Sequence, residues 1–303
     1  MRLFITGGTG SLGTRLLEHA QVSGWRATAY SRDEVKQSLL KRRFPDVEFV
    51  LGDIRDTDWM AQRMLHHDVV VHTAAYKQIP SAEVNSGQAI SVNVNGSIAV
   101  ASAALRADVG RVVGISTDKA CAPVNCYGAT KMLMEKLFQE ADNWGETQFN
   151  LVRYGNVLGS RGSVVPFFRE QAKTGTLTLT NPDMTRFWMT IEDALQIVLD
   201  AMFEAEPATI LVPKCKATSM YVMAYAIAPD ATMKIIGTRP GEKVHEQLTH
   251  AAEAMHTIDI GGYFRVYPAT KQIDSNLPVD FEYTSANAPH YTLEQLRSLL
   301  ENV

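Results

Sequence analysis

Five side chains in one stretch of this sequence have the types and spacing that acid–base chemistry needs. Thr117, Asp118 and Lys119 follow directly on an apolar run, GRVVGIS, that reads as a buried strand. After a loop containing Pro123 and Asn125, Tyr127 opens a helix that carries Lys131. A separation of four puts Tyr127 and Lys131 on one helical face, where the ammonium stabilises the phenolate and lowers the pKa of the phenol. A phenol so tuned takes a proton from a sugar hydroxyl near neutral pH. An amphipathic helix with an incidental Tyr and Lys carries the same spacing, and a solvated ion pair at a strand end explains Asp118 and Lys119 equally well. The elements around them decide between these readings.

The chain opens with a short apolar strand, Arg2 to Thr6, then GGTGSLG, then the helical pattern TRLLEHAQVSG. Gly7, Gly10 and Gly13 let the backbone turn tightly and approach a pyrophosphate whose charge sits at the helix N-terminus. The strand, loop and helix that this mechanism demands are all present, so Thr9, Ser11 and Leu12 join the glycines as candidate cofactor contacts. The strand Trp25 to Tyr30 ends where a ribose is expected, and it offers Ser31, Arg32 and Lys36 there. Hydroxyl, guanidinium and ammonium suit a ribose 2'-phosphate, which favours NADP, while Asp33 and Glu34 keep NAD open. A third strand, Val47 to Leu51, ends in GDIRD, where Asp53 can accept from an adenine amine beside Ile54, or simply make a turn. The fourth, Asp68 to His72, runs into TAAYKQIP, whose Thr73, Ala74 and Ala75 are small enough for a cofactor to lie on the backbone. A helix around Ala89 to Leu105 leads back to the Asp118 strand.

Strand and helix alternate through the first half, which implies an α/β fold: a doubly wound parallel, Rossmann-like sheet with a smaller C-terminal substrate domain. Residues 1–155 form the dinucleotide-binding part, 186–212 return to it, and 156–303 mainly bind substrate. Ligands in such sheets sit beyond the carboxyl ends of the strands, and the Gly7 loop, Asp53, Thr73 to Lys77 and Thr117 to Lys119 all fall there. Later come YGNVLGSRGSVVPFFREQ, MTRFWMT, a helix over Ile191 to Phe203, and IIGTRPGEKVHEQL. Arg161, Arg186 and Arg239 stand in loops where a guanidinium can bind phosphate bidentately, or serve as surface arginines.

The formal net charge of -4 supplies no basic field for nucleic acid or anionic membrane, so any bound anion must be met by local arginines. Cys121, Cys126 and Cys215 are an odd number, which suits a reducing compartment. The first two lack a second ligand pair, and His66, His67 and His72 lack a carboxylate or Cys at metal spacing, so no metal is expected. No apolar run is long enough for a bilayer, and Met1 leads into a strand with no room for a signal peptide. A cytoplasmic protein is the expectation.

The motifs TGGTGSLG, YSRDE, GDIRD, HTAAYKQIP, STDKA, YGATK, RYGNVLGSRGSVVPFF, MTRFWMT and RPGEKVHE resemble those of the UDP-N-acetylglucosamine 4,6-dehydratases that invert C5, soluble extended short-chain dehydrogenase/reductases of the polysaccharide biosynthesis type. The resemblance runs from residue 2 to about 250 and returns in EYTSANAPHYTLEQLRSLL; STDKA is its most specific element. It implies that Tyr127, supported by Lys131 and Thr117, deprotonates the C4 hydroxyl while C4 gives hydride to NADP+. Lys119 then removes the acidified C5 proton, protonated Asp118 releases the C6 hydroxyl as water, hydride returns to C6, and Lys119 reprotonates C5 on the inverting face. An adjacent ammonium favours the Asp118 carboxylate, yet an acid must hold its proton, so the two groups titrate as a coupled pair. The resemblance further implies that Asn156, Arg161, Val164, Arg186, Arg239 and Glu242 hold the UDP-sugar and that Tyr76 and Lys77 lie beside the cofactor or hexose. It implies a homo-oligomer, dimer or larger. VNSGQAI stands where the family often has Asn-Pro, and ACAPVNC brings two cysteines into the catalytic loop. A UDP-hexose 4-epimerase and a non-catalytic NADP-sensing protein are the alternatives; the first needs no Asp-Lys pair, and the second typically loses the Tyr/Lys pair kept here.

Overall fold

Near-continuous runs of β-branched and other apolar residues make strands that are buried on both faces, and the first six strands lie in one sheet, five of them inside it and the third, largely uncovered, at its edge. In the computed structural model, which describes residues 1–160 and 162–301, these are β1 (Arg2–Thr6), β2 (Arg26–Ser31), β3 (Glu48–Leu51), β4 (Val69–His72), β5 (Arg111–Thr117) and β6 (Gln148–Tyr154). Three later strands join them: β7 (Ile210–Pro213), β8 (Thr257–Asp259) and β9 (Tyr263–Val266). The spatial order is β8-β9-β7-β6-β5-β4-β1-β2-β3, parallel from β7 to β3, with β8 and β9 added antiparallel at one edge. The α/β, Rossmann-like reading is thus what the chain adopts. The contribution of residues 257–266 to this sheet has no counterpart in the sequence reading, because those strands are only three and four residues long.

Helices cover both faces. Helix α1 (Ser11–Val22) packs on α6 (Ile191–Phe203), while α4 (Gly96–Arg106) packs against both α3 (Thr57–Met64) and α5 (Cys126–Ala141); α2 (Glu34–Arg43) lies beside β3. The main core is built from fully buried strand residues such as Phe4, Ile5, Val71, Val113, Leu151 and Val212. A second core gathers Leu158, Val165, Phe168, Leu177, Trp188 and Leu296 from the rest of the C-terminal half.

The helix read over Ala89 to Leu105 is not continuous. Residues Ser86–Ile90 and α4 are separated by a π-helical turn, Ser91–Asn95. The extra residue turns Asn93 inward, where it accepts from Tyr76 N at 2.7 Å and donates to Tyr76 O at 3.0 Å and to Thr130 Oγ1 at 2.9 Å. One buried amide thereby ties the loop after β4 to α5.

Candidate active site

Helix α1 has Gly10 as its N-cap, with no side chain to bond the first-turn N–H groups. Gly7 has φ +69°, and a Cβ there would lie 2.7 Å from Thr73 Oγ1 and 2.8 Å from Ala74 N. Only glycine keeps the loops after β1 and β4 this close. From them runs a cleft of about 1190 Å³, lined by Gly7, Thr9, Gly10, Ser11 and Leu12, then Ser31, Arg32, Lys36, Asp53 and Ile54, then Ala74, Ala75 and Lys77, and finally Thr117, Lys119, Tyr127, Asn156 and Val164. Gly13 is not on its wall but packs under the loop. The glycine cradle, the uncapped helix end and the length of the cleft fit a dinucleotide.

The far end differs from the expectation in detail. Asp53 is bonded by Arg55 at 2.8 and 2.7 Å and lies 3.6 Å from Arg32. Its carboxyl is lowered to about 2, chiefly by the Arg55 hydrogen bond. Arg55 engages Oδ1 twice and Oδ2 once, so Oδ2 is the oxygen with a lone pair to spare for an adenine amine. Lys36 is paired with Asp33 at 2.6 Å, and Ser31 is fixed by Gln37 Nε2 at 2.9 Å.

At the reacting end, the parallel register pairs Thr117 with Tyr154 and leaves Asn156 just beyond the ends of β5 and β6. A 3-10 turn over Asp118–Ala120 follows β5, and Asn125 caps α5 by accepting from Gly128 N at 2.8 Å. A Cβ on Gly128 would stand 2.1 Å from the Lys119 carbonyl oxygen, so glycine is what lets the helix press against that turn. Asp118 is fully buried and Lys119 is 16% exposed. Thr117 Oγ1 donates to Asp118 Oδ1 at 2.9 Å, and Lys119 Nζ donates to the same oxygen at 2.9 Å and to Asn156 Oδ1 at 3.4 Å. Asp118 therefore sits behind Thr117 and Lys119, and its Oδ2 is buried with no hydrogen-bond partner among the described residues.

The electrostatics reassign one role. Burial pushes the Tyr127 phenol up, Lys119 pulls it down, Asp118 pushes it up and the Thr117 hydrogen bond pulls it down, for a net value of about 12. The spacing assigns the pull on the phenol to Lys131, but the structure gives it to Lys119. Lys131 is buried and reduced to about 7, mainly by desolvation and despite Glu135, with Nζ 2.8 Å from Met134 Sδ. For Lys119, burial opposes the charge, but Asp118 and Glu246 outweigh it and hold the ammonium above its ordinary value.

Glu246 is the residue that sequence spacing missed. It lies in the KVHEQL segment, 4% exposed, with Oε1 3.7 Å from Lys119 Nζ and 3.9 Å from Arg186 Nε. Tyr154 also lines the cleft unanticipated. Other candidates fall outside the cleft wall. The Tyr76 hydroxyl bonds Ser81 at 2.6 Å, and the buried Arg186 donates to Thr185 O and Val244 O at 2.7 and 3.1 Å. Arg239 is exposed and paired through its backbone with Glu242. Arg161 lies outside the described residues. Cys121 and His250 approach Glu253, but both oxygens of that carboxylate are bonded by Arg153 at 2.7 and 2.8 Å.

The family model for polysaccharide biosynthesis proteins matches residues 3–268. A Campylobacter jejuni protein named UDP-N-acetylglucosamine 4,6-dehydratase (inverting) is 37% identical over 99% of this chain and 96% of its own length. A Rickettsia akari protein named UDP-glucose 4-epimerase is 36% identical over 98% and 94%. The X-ray structure of Pen from Bacillus thuringiensis superposes with a TM-score of 0.93 at 32% identity, covering 99% of this chain and 97% of that one. With the glycine cradle, Thr117, Lys119 and Tyr127 lining one cleft and Asp118 and Lys131 buried behind its wall, the chain belongs to the polysaccharide biosynthesis protein family of extended short-chain dehydrogenase/reductases.

Proposed function

We propose that this protein is a lyase, an NADP-dependent UDP-N-acetylglucosamine 4,6-dehydratase that inverts C5. The observation that carries the reading is the Asp118–Lys119 pair, held at 2.9 Å, with Lys119 on the wall of the dinucleotide cleft beside Thr117 and Tyr127 and Asp118 buried behind it. Oxidation at C4 needs only the phenol and hydroxyl, whereas dehydration needs an acid and a base besides. A nicotinamide held by the glycine cradle would supply the hydride acceptor for C4 and the hydride donor for C6.

Tyr127 takes the C4 hydroxyl proton, with Thr117 in hydrogen-bond contact. Lys119, on the cleft wall, removes the C5 proton that the C4 ketone has acidified. Asp118 Oδ2, without a partner among the described residues, is the oxygen left to hold the proton for the C6 hydroxyl. Asn156 and Val164 line the sugar end, and Lys77 the boundary with the cofactor. Ser31, Arg32 and Lys36 meet a ribose 2'-phosphate. Arg32 and Lys36 are paired with carboxylates, but those pairs are exposed and worth little, so a dianionic phosphate displaces them. The protein acts as a cytoplasmic homo-oligomer; among the described residues no helix is long and apolar enough to cross a membrane.

Purified protein loaded with NADP should convert UDP-N-acetylglucosamine to a product lighter by one water, seen by mass spectrometry, with no net NADPH. Unchanged substrate would contradict the reading. The epimerase named among the relatives favours a second reading, UDP-hexose 4-epimerisation on the same fold. Lys119→Ala separates them: it should stop dehydration and leave an epimerase working.

A further inference from the structure

Resting on the dehydratase reading, a count of protons shows that Tyr127, Asp118 and Lys119 are one acceptor short. In the resting cluster the phenol is protonated, Lys119 is an ammonium and Asp118 its carboxylate partner. Oxidation at C4 then delivers one more proton, from the substrate hydroxyl. Tyr127 and Asp118 can share it, because the Thr117 hydroxyl hydrogen-bonds the phenol and donates to Asp118 Oδ1 at 2.9 Å. All three groups are now protonated, which suits Asp118 as the acid for the C6 hydroxyl. It leaves Lys119 an ammonium, unable to take the C5 proton.

A fourth group stands next to Lys119. Glu246 Oε1 is 3.7 Å from Lys119 Nζ, its side chain is 4% exposed, and its Oε2 has no hydrogen-bond partner among the described residues. Its backbone is pinned: Glu246 N donates to Ser285 Oγ at 2.9 Å and Ser285 N donates back to Glu246 O at 2.8 Å. The groups facing the pair are Asp118 and Tyr127 on the Lys119 side and Arg186, 3.9 Å from Glu246 Oε1, on the other. Two carboxylates and two cations balance at rest, so a proton passing between Lys119 and Glu246 changes no net charge in a buried site.

We propose that Glu246 is the proton-holding partner of Lys119, taking a proton from the ammonium to free the amine and returning it after C5 has been reprotonated. With the hexose closing the pair to hydrogen-bond distance, the Nζ–H bond breaks and an O–H bond forms on Glu246. The amine then takes the C5 proton, and Asp118 gives its own to the departing C6 hydroxyl, leaving as water. After C6 is reduced, Lys119 returns a proton to C5, and Glu246 returns the stored one to Lys119. The cluster ends with the protons it began with, and no step needs a proton from solvent. Glu246 acts through Lys119 and is therefore a positioning residue rather than a group in contact with substrate.

Glu246→Gln keeps the shape and removes the acceptor. In single turnover, C4 oxidation should proceed as in the parent while C5 proton loss slows about 100-fold at pH 7. Lys119 must now lose its proton to water, so the variant's rate should climb tenfold per pH unit where the parent is flat, and Glu246→Asp should restore the flat profile in part. In the cofactor-free protein, the Lys119 ammonium followed by NMR should titrate at lower pH in Glu246→Gln than in the parent. A variant rate profile parallel to the parent's, or an unmoved Lys119 titration, would overturn the proposal. A parent that forms no dehydrated product would instead overturn the dehydratase reading, and the Lys119 titration would still decide the coupling. If Glu246→Gln fails to fold, Glu246→Asp must still displace the Lys119 titration, and an unmoved one overturns the proposal.

Discussion

Helical spacing assigns to Lys131 a pull on the phenol that Lys119 exerts in the folded chain. The i,i+4 relation is local and legible in sequence, but the charge that acts on the phenol comes from a strand end, and only the folded chain brings the two together. Lys131 is instead a buried amine with its pKa reduced to about 7. Its folded value lies below its unfolded one, so the unfolded state binds more protons between about pH 7 and the ordinary lysine value, and stability rises with pH across that window. Below pH 7 the burial penalty is full. Lys131→Met should therefore raise the melting temperature of the cofactor-free protein most at pH 6, with the gain shrinking towards pH 10; a gain independent of pH would contradict the assignment. Asp118 and Lys119 were visible as a pair, but that Asp118 lies behind Lys119, and that Glu246 completes the set, was not. Glu246 follows Lys119 by more than a hundred residues, and no periodicity spans that distance.

Among elements, α6 was readable to its ends, Ile191–Phe203, because Thr190 and Asp193 form a capping box ahead of a strongly apolar run. The π-turn at Ser91–Asn95 was not, because one inserted residue leaves the average helical pattern intact. The close approach of α5 to the turn after β5 is equally silent in sequence, yet Gly128 reports it once the geometry is known. Gly128→Ala should leave cofactor affinity within about twofold, since its clash is with the Lys119 carbonyl and not with the glycine loop, while dehydration falls by about 100-fold or more. Fluorescence titration with NADP and an initial-rate assay check both halves; equal losses in each would contradict it. Arg153, 1% exposed, joins β6, α5 and the helix Ala251–Ala254 through Glu135 and Glu253. Arg153→Met leaves one buried and one part-buried carboxylate without their cation and should cost about 3–5 kcal/mol in urea unfolding. A loss under about 1 kcal/mol would show that the network carries no such weight.

On the scale of the whole molecule, the parallel sheet and the cleft at its strand ends were legible because βα alternation and glycine loops are local signals repeated along the chain. The C-terminal portion was not, because β8 and β9 are short and find their place only by pairing with β7. We propose a two-part organisation in which the sheet draws on residues 1–154, 210–213 and 257–266 and the second core forms the substrate part. A chain ending at residue 246 loses the two edge strands, the Ser285 anchor and Glu253. It should give no cooperative thermal transition, and a soluble, cooperatively folded fragment would contradict this interweaving. The reaction itself is tested most directly at C5. UDP-N-acetylglucosamine turned over in heavy water and read by NMR should give a 4-keto-6-deoxy sugar carrying deuterium at C5 with inverted configuration; product with protium retained at C5 would contradict a Lys119-centred exchange.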